Sequence, residues 1–331
     1  TFTATVGTLG DDGNIKPFGT ASEKVAIKKS PLSLTAFING KEDSVSVVYA
    51  GEMIRVDLMW VNNLSSSIKD AQIELEIKGE AYDQRSVSVT KGAYRSYDNK
   101  AVWNSASFKD LASIAPGSSG KTQLGFSIKN PLPIYKQGDN NFSISVEAKI
   151  IGLGTSDEFE NKQIEDSVKK DIKVGSKLQA VGKTLHYSGA LKNSGEVPPK
   201  VGKETTYTIV WSLANNANDL SDAKITASLP PYVSKENLIS PEDADLQFDE
   251  KNATLVWNVG EVPAGTGIIM PAKEVSFQVS FSPNLTQVGE TPVLVNKAVV
   301  EARDAFTEEN ISAEIPALTI NLSGDPQSKG G

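Results

Sequence analysis

Residues Gly51–Trp60 read GEMIRVDLMW, and residues Gly202–Trp211, which lie 151 positions later, read GKETTYTIVW. The same offset carries Phe126 onto Phe277, so the correspondence extends beyond a single segment. A repeat with such a long period indicates tandem whole domains rather than a solenoid of small units.

The alternation inside the first stretch predicts a half-buried β-strand. Ile54, Val56, Leu58 and Trp60 fall on one face, and two charged residues lie between them. Such alternation places one face on a core and the other in water. Further strands are predicted in the first copy at Leu32–Phe37, Val45–Tyr49, Ser86–Thr90, Val102–Phe108, Gln123–Ile128, Phe142–Ile151 and Val168–Val174. The second copy is predicted to contain Thr205–Leu213, Ala223–Leu229, Leu246–Phe248, Thr254–Val259, Glu274–Phe281, Val293–Ala302 and Ala313–Leu322. This pattern is typical of the all-β class, here tandem Ig-like antiparallel β-sandwich domains.

Four segments are predicted along the chain. Residues 30–175 and 176–323 each form an Ig-like β-sandwich repeat, with a short semi-rigid joint between 175 and 202. Residues 324–331 form a polar tail or linker. Residues 1–29 resemble the strand pair within 142–173 and are predicted to be the C-terminal hairpin of a preceding, incomplete repeat. Either the chain is a fragment of a longer array, or this hairpin completes a neighbouring subunit by strand addition.

Composition excludes several classes of function. The 331 residues carry a net charge of -8 and include no cysteine. An acidic chain is poorly suited to nucleic acid or anionic membranes, which both attract Lys and Arg. Without cysteine there are no disulfides, thiol nucleophiles or Cys-ligated metals. No run of about 18 apolar residues occurs, so direct membrane insertion is not predicted for this segment.

Residues able to carry out catalysis are scattered. His186 is the only histidine, and no Gly-x-Ser-x-Gly motif accompanies it. Glu74 and Glu76 share the solvent face of one predicted strand, where carboxylates normally keep a sheet hydrated. We therefore predict no enzyme activity, no catalytic residue, no cofactor, no cofactor-binding residue and no metal ligand.

Calcium or sugar binding is the alternative that the residues leave open. Asp11–Asn14, Asp139–Asn141 and Asp243–Asp245 offer loop oxygens, but none has EF-hand spacing, and turns are the favoured interpretation. Tryptophans stack on sugars when exposed, but their matched positions on alternating strands favour a core role. They are Trp60, Trp103, Trp211 and Trp257. Asn-x-Ser/Thr sequons, relevant only in a glycosylating host, occur at Asn63, Asn141, Asn252, Asn284, Asn310 and Asn321.

A family resemblance adds to these observations. The segments that carry it are Gly202–Trp211, Leu220–Ala223, Leu229–Val233, Val256–Gly265 and Lys273–Val279. They are similar to Ig-like repeats of the "domain of unknown function eleven" and bacterial cell-adhesion-related kinds, especially in large envelope proteins of Patescibacteria-type candidate phyla. The match is close over 183–320 and looser over 31–175. The resemblance implies an exported, cell-envelope protein with no catalytic residue to carry over.

These observations predict a non-enzymatic, extracellular cell-surface structural protein. Its tandem Ig-like modules act as a stalk, an adhesin or a self-assembling fibre. The predicted partners are other copies of the chain or other surface proteins, and strand addition through residues 1–29 is one of the two alternatives left open for that segment. The alternative is a carbohydrate- or calcium-binding module of a larger extracellular protein.

Overall fold

A computed structural model describes residues 2–9, 14–23, 30–156 and 159–328, and its regular structure is nearly all β-strand. The chain begins with a hairpin of β1 (Phe2–Leu9) and β2 (Ile15–Glu23), which pair antiparallel. Two β-sandwiches follow, and each has its own hydrophobic core. The predicted all-β fold with tandem Ig-like sandwiches is confirmed.

The first sandwich packs a four-stranded sheet against a larger one. Its strands are β3 (Leu32–Ile38), β4 (Val45–Tyr49), β5 (Met53–Asn62), β6 (Ile68–Lys78), β7 (Tyr82–Val89), β8 (Ala93–Arg95), β9 (Lys100–Trp103), β10 (Ser113–Ile114), β11 (Ser119–Ile128), β12 (Ser143–Gly154) and β13 (Gln163–Gly175). One sheet has the order β3-β5-β11-β7, and the other has the order β4-β13-β12-β6-β9-β8, with β10 on β6. Buried and exposed residues alternate along the central strands, so the inner faces of both sheets share one core.

The second sandwich repeats this arrangement. Its strands are β14 (Leu178–Leu185), β15 (Thr205–Asn215), β16 (Leu220–Ser228), β17 (Val233–Ser240), β18 (Leu246–Asp249), β19 (Thr254–Val262), β20 (Lys273–Phe281), β21 (Val293–Val295), β22 (Ala298–Asp304), β23 (Asn310–Ile315) and β24 (Leu318–Thr319). The sheets have the orders β14-β15-β20-β17 and β18-β19-β16-β22-β23, and β21 pairs with β24. The sequence repeat therefore corresponds to equivalent strands in equivalent sheets.

Backbone details repeat as well. Asp70 and Asp222, near the starts of β6 and β16, have φ angles of 48° and 53°. Asp tolerates this left-handed region better than most residues. Asn62 and Asn215, both buried at the ends of β5 and β15, each donate from Nδ2 to three backbone carbonyl oxygens. We call this arrangement the asparagine clamp.

The tryptophans lie in the two cores, as predicted. Trp60 and Trp211, at matching positions of β5 and β15, are 1% and 0% exposed. Trp60 packs edge-on against Phe108 at 5.6 Å between ring centroids, and Trp211 packs against Phe277 at 4.9 Å. Trp103 and Trp257 are also buried. None of the four is available for stacking on a sugar.

Some strand predictions are wrong in detail. The first sandwich is not purely antiparallel, because β4 pairs with β13 in parallel. The strand predicted at Val102–Phe108 ends at Trp103, because the Asn104 side chain accepts from the N–H groups of Ala106 and Ser107 and forms a turn. A 3-10 turn at Lys109–Leu111 follows.

The second sandwich contains two more corrections. Its first strand, β14, occupies Leu178–Leu185, inside the segment predicted as a joint. The charged and Gly residues of this segment are compatible with an edge strand, which contacts water along one side. The strand predicted at Ala313–Leu322 is interrupted between β23 and β24 at Pro316, which cannot donate to a ladder.

Candidate functional site

The joint between the sandwiches is much shorter than the predicted 175–202 segment. Strand β13 ends at Gly175 and β14 begins at Leu178, so only Ser176 and Lys177 connect them. Ser176 is buried, which is unusual for a linker. The rest of the predicted joint belongs to the second sandwich.

A buried polar cluster seals the joint. Its members are Ser176, Asn218 and Asp304, all at most 1% exposed. The Asp304 carboxylate accepts hydrogen bonds at 2.8 Å from the Ser176 N–H and from Asn218 Nδ2. Asn218 Nδ2 also donates to the carbonyl oxygen of Val174 at 2.8 Å, and the Asn218 N–H donates to Ser176 Oγ at 2.9 Å. The cluster thereby links both sandwiches and the connecting residues.

Asp304 is positioned by the end of β22 and the turn after it. Its Oδ1 accepts from the N–H groups of Phe306 and Thr307 at 2.9 Å. Burial alone would raise the pKa of Asp304, but the hydrogen bonds from Asn218, Thr307 and Ser176 together lower it. A buried carboxylate is tolerated only when its lone pairs are satisfied in this way.

Polar contacts continue around the rim of the joint. Tyr49 Oη donates to Glu309 Oε2 at 3.0 Å. Burial and this contact with Glu309 raise the pKa of Tyr49 to about 12. Lys173 Nζ donates to the carbonyl oxygen of Phe306 at 2.9 Å and lies 4.6 Å from the centroid of its ring. The rim therefore adds contacts from one sandwich to the other.

Apolar contacts complete the joint. Ala217, in the loop between β15 and β16, is fully buried and belongs to the core cluster of the first sandwich. A Cβ placed on Gly265 would lie 3.1 Å from Ile134 Cγ2 of the first sandwich. The sandwiches thus approach so closely at this point that a larger side chain would require a shift.

The residues considered for catalysis are not brought together. His186 Nδ1 lies 2.9 Å from the carbonyl oxygen of Thr206, and its ring packs against Tyr187 and Tyr207. Glu74 and Glu76 lie on a solvated sheet face, where each forms an ion pair of 3.6 Å with a lysine. These contacts are the ones expected of a packed histidine and of carboxylates that keep a sheet face hydrated.

The described carboxylates of the acidic segments accept hydrogen bonds from groups of the chain itself. Asp139 Oδ2 accepts from the N–H groups of Tyr135 and Lys136, and Asp245 accepts from the side chains of Gln247 and Asn258. Hydrogen bonds from those two side chains lower the pKa of Asp245. Of the segment Asp11–Asn14, residues 11–13 lie outside the described residues. Within the described ranges, no group of three or more His, Cys, Asp or Glu is arranged to hold a metal ion.

The predicted polar tail contains an anchoring residue. Asp325 is buried and accepts hydrogen bonds from the N–H groups of His186 and Tyr187 at 2.7 and 2.8 Å and from Ser188 Oγ at 2.6 Å. Burial would raise the pKa of Asp325, but these donors lower it well below its usual range. This contact holds the segment around Asp325 against the second sandwich.

The N-terminal hairpin is a second candidate region. Its apolar side chains are exposed, with Phe18 at 77% and Val6 at 70%. The hydroxyl groups of Thr3 and Ser22 lie 3.1 Å apart on the polar face. An isolated hairpin is marginally stable in water, so this element is suited to pairing with a partner.

Sequence reasoning missed the residues that seal the joint. Asn218 and Asp304 lie at the ends of loops and strands, where Asn and Asp usually form local turns. Only their three-dimensional proximity distinguishes them. The sequon asparagines are all exposed, as asparagines in surface loops usually are.

No protein-family model matches the chain, and no curated protein does. The chain is similar to the C-terminal domain of the antigen I/II-family protein AspA of Streptococcus pyogenes, at 11% identity and a TM-score of 0.33, covering 88% of this chain and 99% of that one. It is also similar to BcpA, the major pilin subunit of Bacillus cereus, at 12% identity and a TM-score of 0.31, covering 82% and 73%. A chain of a type I cohesin–dockerin complex from Clostridium thermocellum gives 16% identity and a TM-score of 0.28, covering 46% of this chain and 99% of that one.

These neighbours include adhesin and pilin domains, but none of them identifies a function for this chain. The resemblance to envelope Ig-like repeats stays a prediction. In the part of the chain that the structure describes, we find no helix with the length and apolar character needed to cross a bilayer.

Proposed function

We propose that this chain is a non-enzymatic, structural part of an extracellular cell-surface protein, in which Ig-like sandwiches are held end to end as a stalk. The observation that carries the proposal is the sealed joint, with a two-residue connection and a buried carboxylate shared between the sandwiches. Adhesion or fibre formation would be a specialisation of this stalk.

A stalk must resist bending at its joints. A flexible linker of Gly and Ser would let two domains move independently. Here Asp304 bonds to a connecting residue and, through Asn218, to the last strand of the first sandwich. Any bend that separates the sandwiches would leave these buried groups without partners, at about 1–3 kcal/mol for each. The joint is therefore expected to hold one orientation.

The burial of the aromatic residues also supports a structural role. All four tryptophans lie in the cores, so the sugar-stacking alternative has no tryptophan platform. The Asp139 carboxylate accepts hydrogen bonds within its own loop, and the Asp245 carboxylate accepts them from two neighbouring side chains, which weakens the calcium alternative.

The test is a distance measurement across the joint. Because the chain has no cysteine, Lys121→Cys and Lys251→Cys place one spin label on each sandwich at exposed positions. Double electron–electron resonance should give a single narrow distance distribution. Adding Asp304→Ala should broaden it, whereas Asp243→Ala, at an exposed site on the same sandwich, should leave it unchanged. A broad distribution in the parent protein would rule out a stiff joint.

A further inference from the structure

Each half of the joint has a counterpart in the other sandwich, at the end that lies away from the joint. In the second sandwich, Pro263–Thr266 faces the first sandwich, and Ala264 and Thr266 are buried. The equivalent loop in the first sandwich is Ala115–Ser118. Both loops are held by the asparagine clamp, since Asn62 Nδ2 donates to the Ala115 oxygen at 3.1 Å and Asn215 Nδ2 to the Pro263 oxygen at 3.3 Å.

The two loops share a second hydrogen bond but differ in exposure. Ser118 Oγ donates to the Ala115 oxygen at 2.8 Å, and Thr266 Oγ1 donates to the Pro263 oxygen at 2.7 Å. However, Ala115, Pro116 and Gly117 are exposed, whereas residues 264–266 of the loop in the second sandwich are buried. We call Ala115–Ser118 the head loop. It makes the same hydrogen bonds as the loop of the second sandwich, but its residues 115–117 are exposed.

The opposite half of the joint shows the same contrast. The loop after β11 meets the second sandwich at Ile134, next to Gly265, and Ile134 is only 6% exposed. The topologically equivalent loop, after β20, leaves Leu285 and Val288 exposed at 79% and 65%.

Two further apolar side chains lie at this end of the second sandwich. Val201 precedes Gly202, whose N–H donates to the Pro283 oxygen at 3.0 Å, and the Tyr232 ring lies 5.8 Å from that of Phe281. Both side chains are exposed. We call Val201, Tyr232, Leu285 and Val288 the tail patch. An exposed apolar patch at a sandwich end marks an interaction surface.

We propose that the tail patch of one molecule binds the head loop of a second copy of this chain, so that molecules add end to end. The internal joint indicates that the partner is a second copy. There, the loop equivalent to the head loop, Pro263–Thr266, already packs against the loop after β11, which is equivalent to part of the tail patch. A head-to-tail contact between different surfaces does not close on itself and generates an open line of copies. This inference rests on the proposed stalk function and extends it to assembly.

The intermolecular contact lacks the polar seal of the internal joint. Asp304 pairs with Leu220 across β22 and β16, whereas the matching pair in the first sandwich is Gly154 with Ile68. Without the carboxylate and without a covalent connection, the contact should be reversible and should depend on protein concentration.

The test is sedimentation velocity of the full chain from low micromolar to millimolar concentration. The average mass should start at 35.3 kDa and rise with concentration. The double variant Leu285→Ser, Val288→Ser should remain at the monomer mass throughout. Its matched control is Val181→Ser, Leu238→Ser, which changes the same residue types at strand positions that are 51% and 49% exposed and should associate normally.

A mixing experiment tests the head-to-tail geometry. Pro116→Asp should block the head loop and also give monomers. Mixing this variant with the tail variant should restore association but stop at dimers, because each molecule keeps one working end. Circular dichroism melts check that every variant is folded.

Several outcomes would overturn the inference. One is a parent protein that stays at 35.3 kDa at all concentrations, and another is equal dissociation by the control variant. If Pro116→Asp and Phe18→Ser both still associate, the contact is tail to tail. If Phe18→Ser dissociates the molecules and Pro116→Asp does not, the N-terminal hairpin is the occupant instead. Because the joint is probed separately by spin labels on dilute monomers, a failure here leaves the stalk proposal standing.

Discussion

The two sandwiches share a strand order and an asparagine clamp. They differ at the end where the first strand of each sandwich begins. In the second sandwich, Asp304 is buried and accepts hydrogen bonds from four donors. In the first, Gly154 occupies the equivalent ladder position. The comparison indicates that the shared frame sets the fold, whereas the polar side chains at one end, Asp304 together with Asn218, seal that end.

The largest expected effect tests whether the two cores are separate. Trp211→Ala should destabilise the second sandwich by about 3–5 kcal/mol, because it removes a fully buried ring and leaves a cavity. Trp60→Ala should do the same to the first sandwich. Hydrogen exchange read by mass spectrometry should show accelerated exchange only in the sandwich that carries the change. Equal acceleration in both would mean that the sandwiches unfold as one unit.

The next effect concerns acid and the sealed end. The pKa of Asp304 is lowered in the folded protein, so its contribution to stability is present above its unfolded pKa of about 3.9 and is lost as the pH falls through the folded value. The distance distribution across the joint should therefore stay narrow at neutral pH and broaden only below about pH 4.

Asp304→Asn supplies the control for this pH dependence. The amide does not titrate. Its N–H groups would face other donors, the Ser176 N–H and Asn218 Nδ2, so the distance distribution across the joint should be broad at every pH. The Glu309 carboxylate and Tyr49 hydroxyl also lie at this joint, and Glu309→Gln shows whether that carboxylate shares the transition. An acid transition that survives Asp304→Asn would assign it to another group.

The strands and the two cores could be predicted from the sequence, because both depend on periodic patterns of apolar residues. Alternating apolar residues located β5 and β15, and the repeated Trp60 and Trp211 located both cores. The joint was predicted too long because Gly, Lys and Ser within 175–202 resemble a linker, although Gly182 and Lys183 belong to the edge strand β14. The polar seal was missed because it combines residues far apart in the chain, and no local pattern marks that contact.

A smaller effect compares the two asparagine clamps. Asn62 Oδ1 accepts from the Leu64 N–H at 3.0 Å, whereas Asn215 Oδ1 is buried without a hydrogen-bond partner in the structure. Asn62→Ala should therefore cost about 1 kcal/mol more than Asn215→Ala, each being destabilising because backbone carbonyls lose a donor. Chemical denaturation with exchange read for each sandwich measures both. A larger cost for Asn215→Ala would show that its contacts to the sealed joint outweigh the unpaired oxygen.

The smallest expected effect lies at the rim of the joint. Tyr49→Phe removes the hydrogen bond to Glu309 at a half-buried site and should cost about 1 kcal/mol or less. The pKa of Tyr49 is raised to about 12, so this contribution is complete below the unfolded value near 10 and is lost as the pH rises through 12. The distance distribution should broaden slightly, with the buried cluster still in place.

Tyr94→Phe is the matched control, because Tyr94 Oη donates to Asn99 Oδ1 within the first sandwich, at 3.3 Å. It should leave the distance distribution unchanged. If Tyr49→Phe broadens the distribution as much as Asp304→Ala does, the rim and the buried cluster contribute equally to the joint. The contrast between a sealed and an open sandwich end would then depend on exposed contacts, and the buried carboxylate would lose its special role.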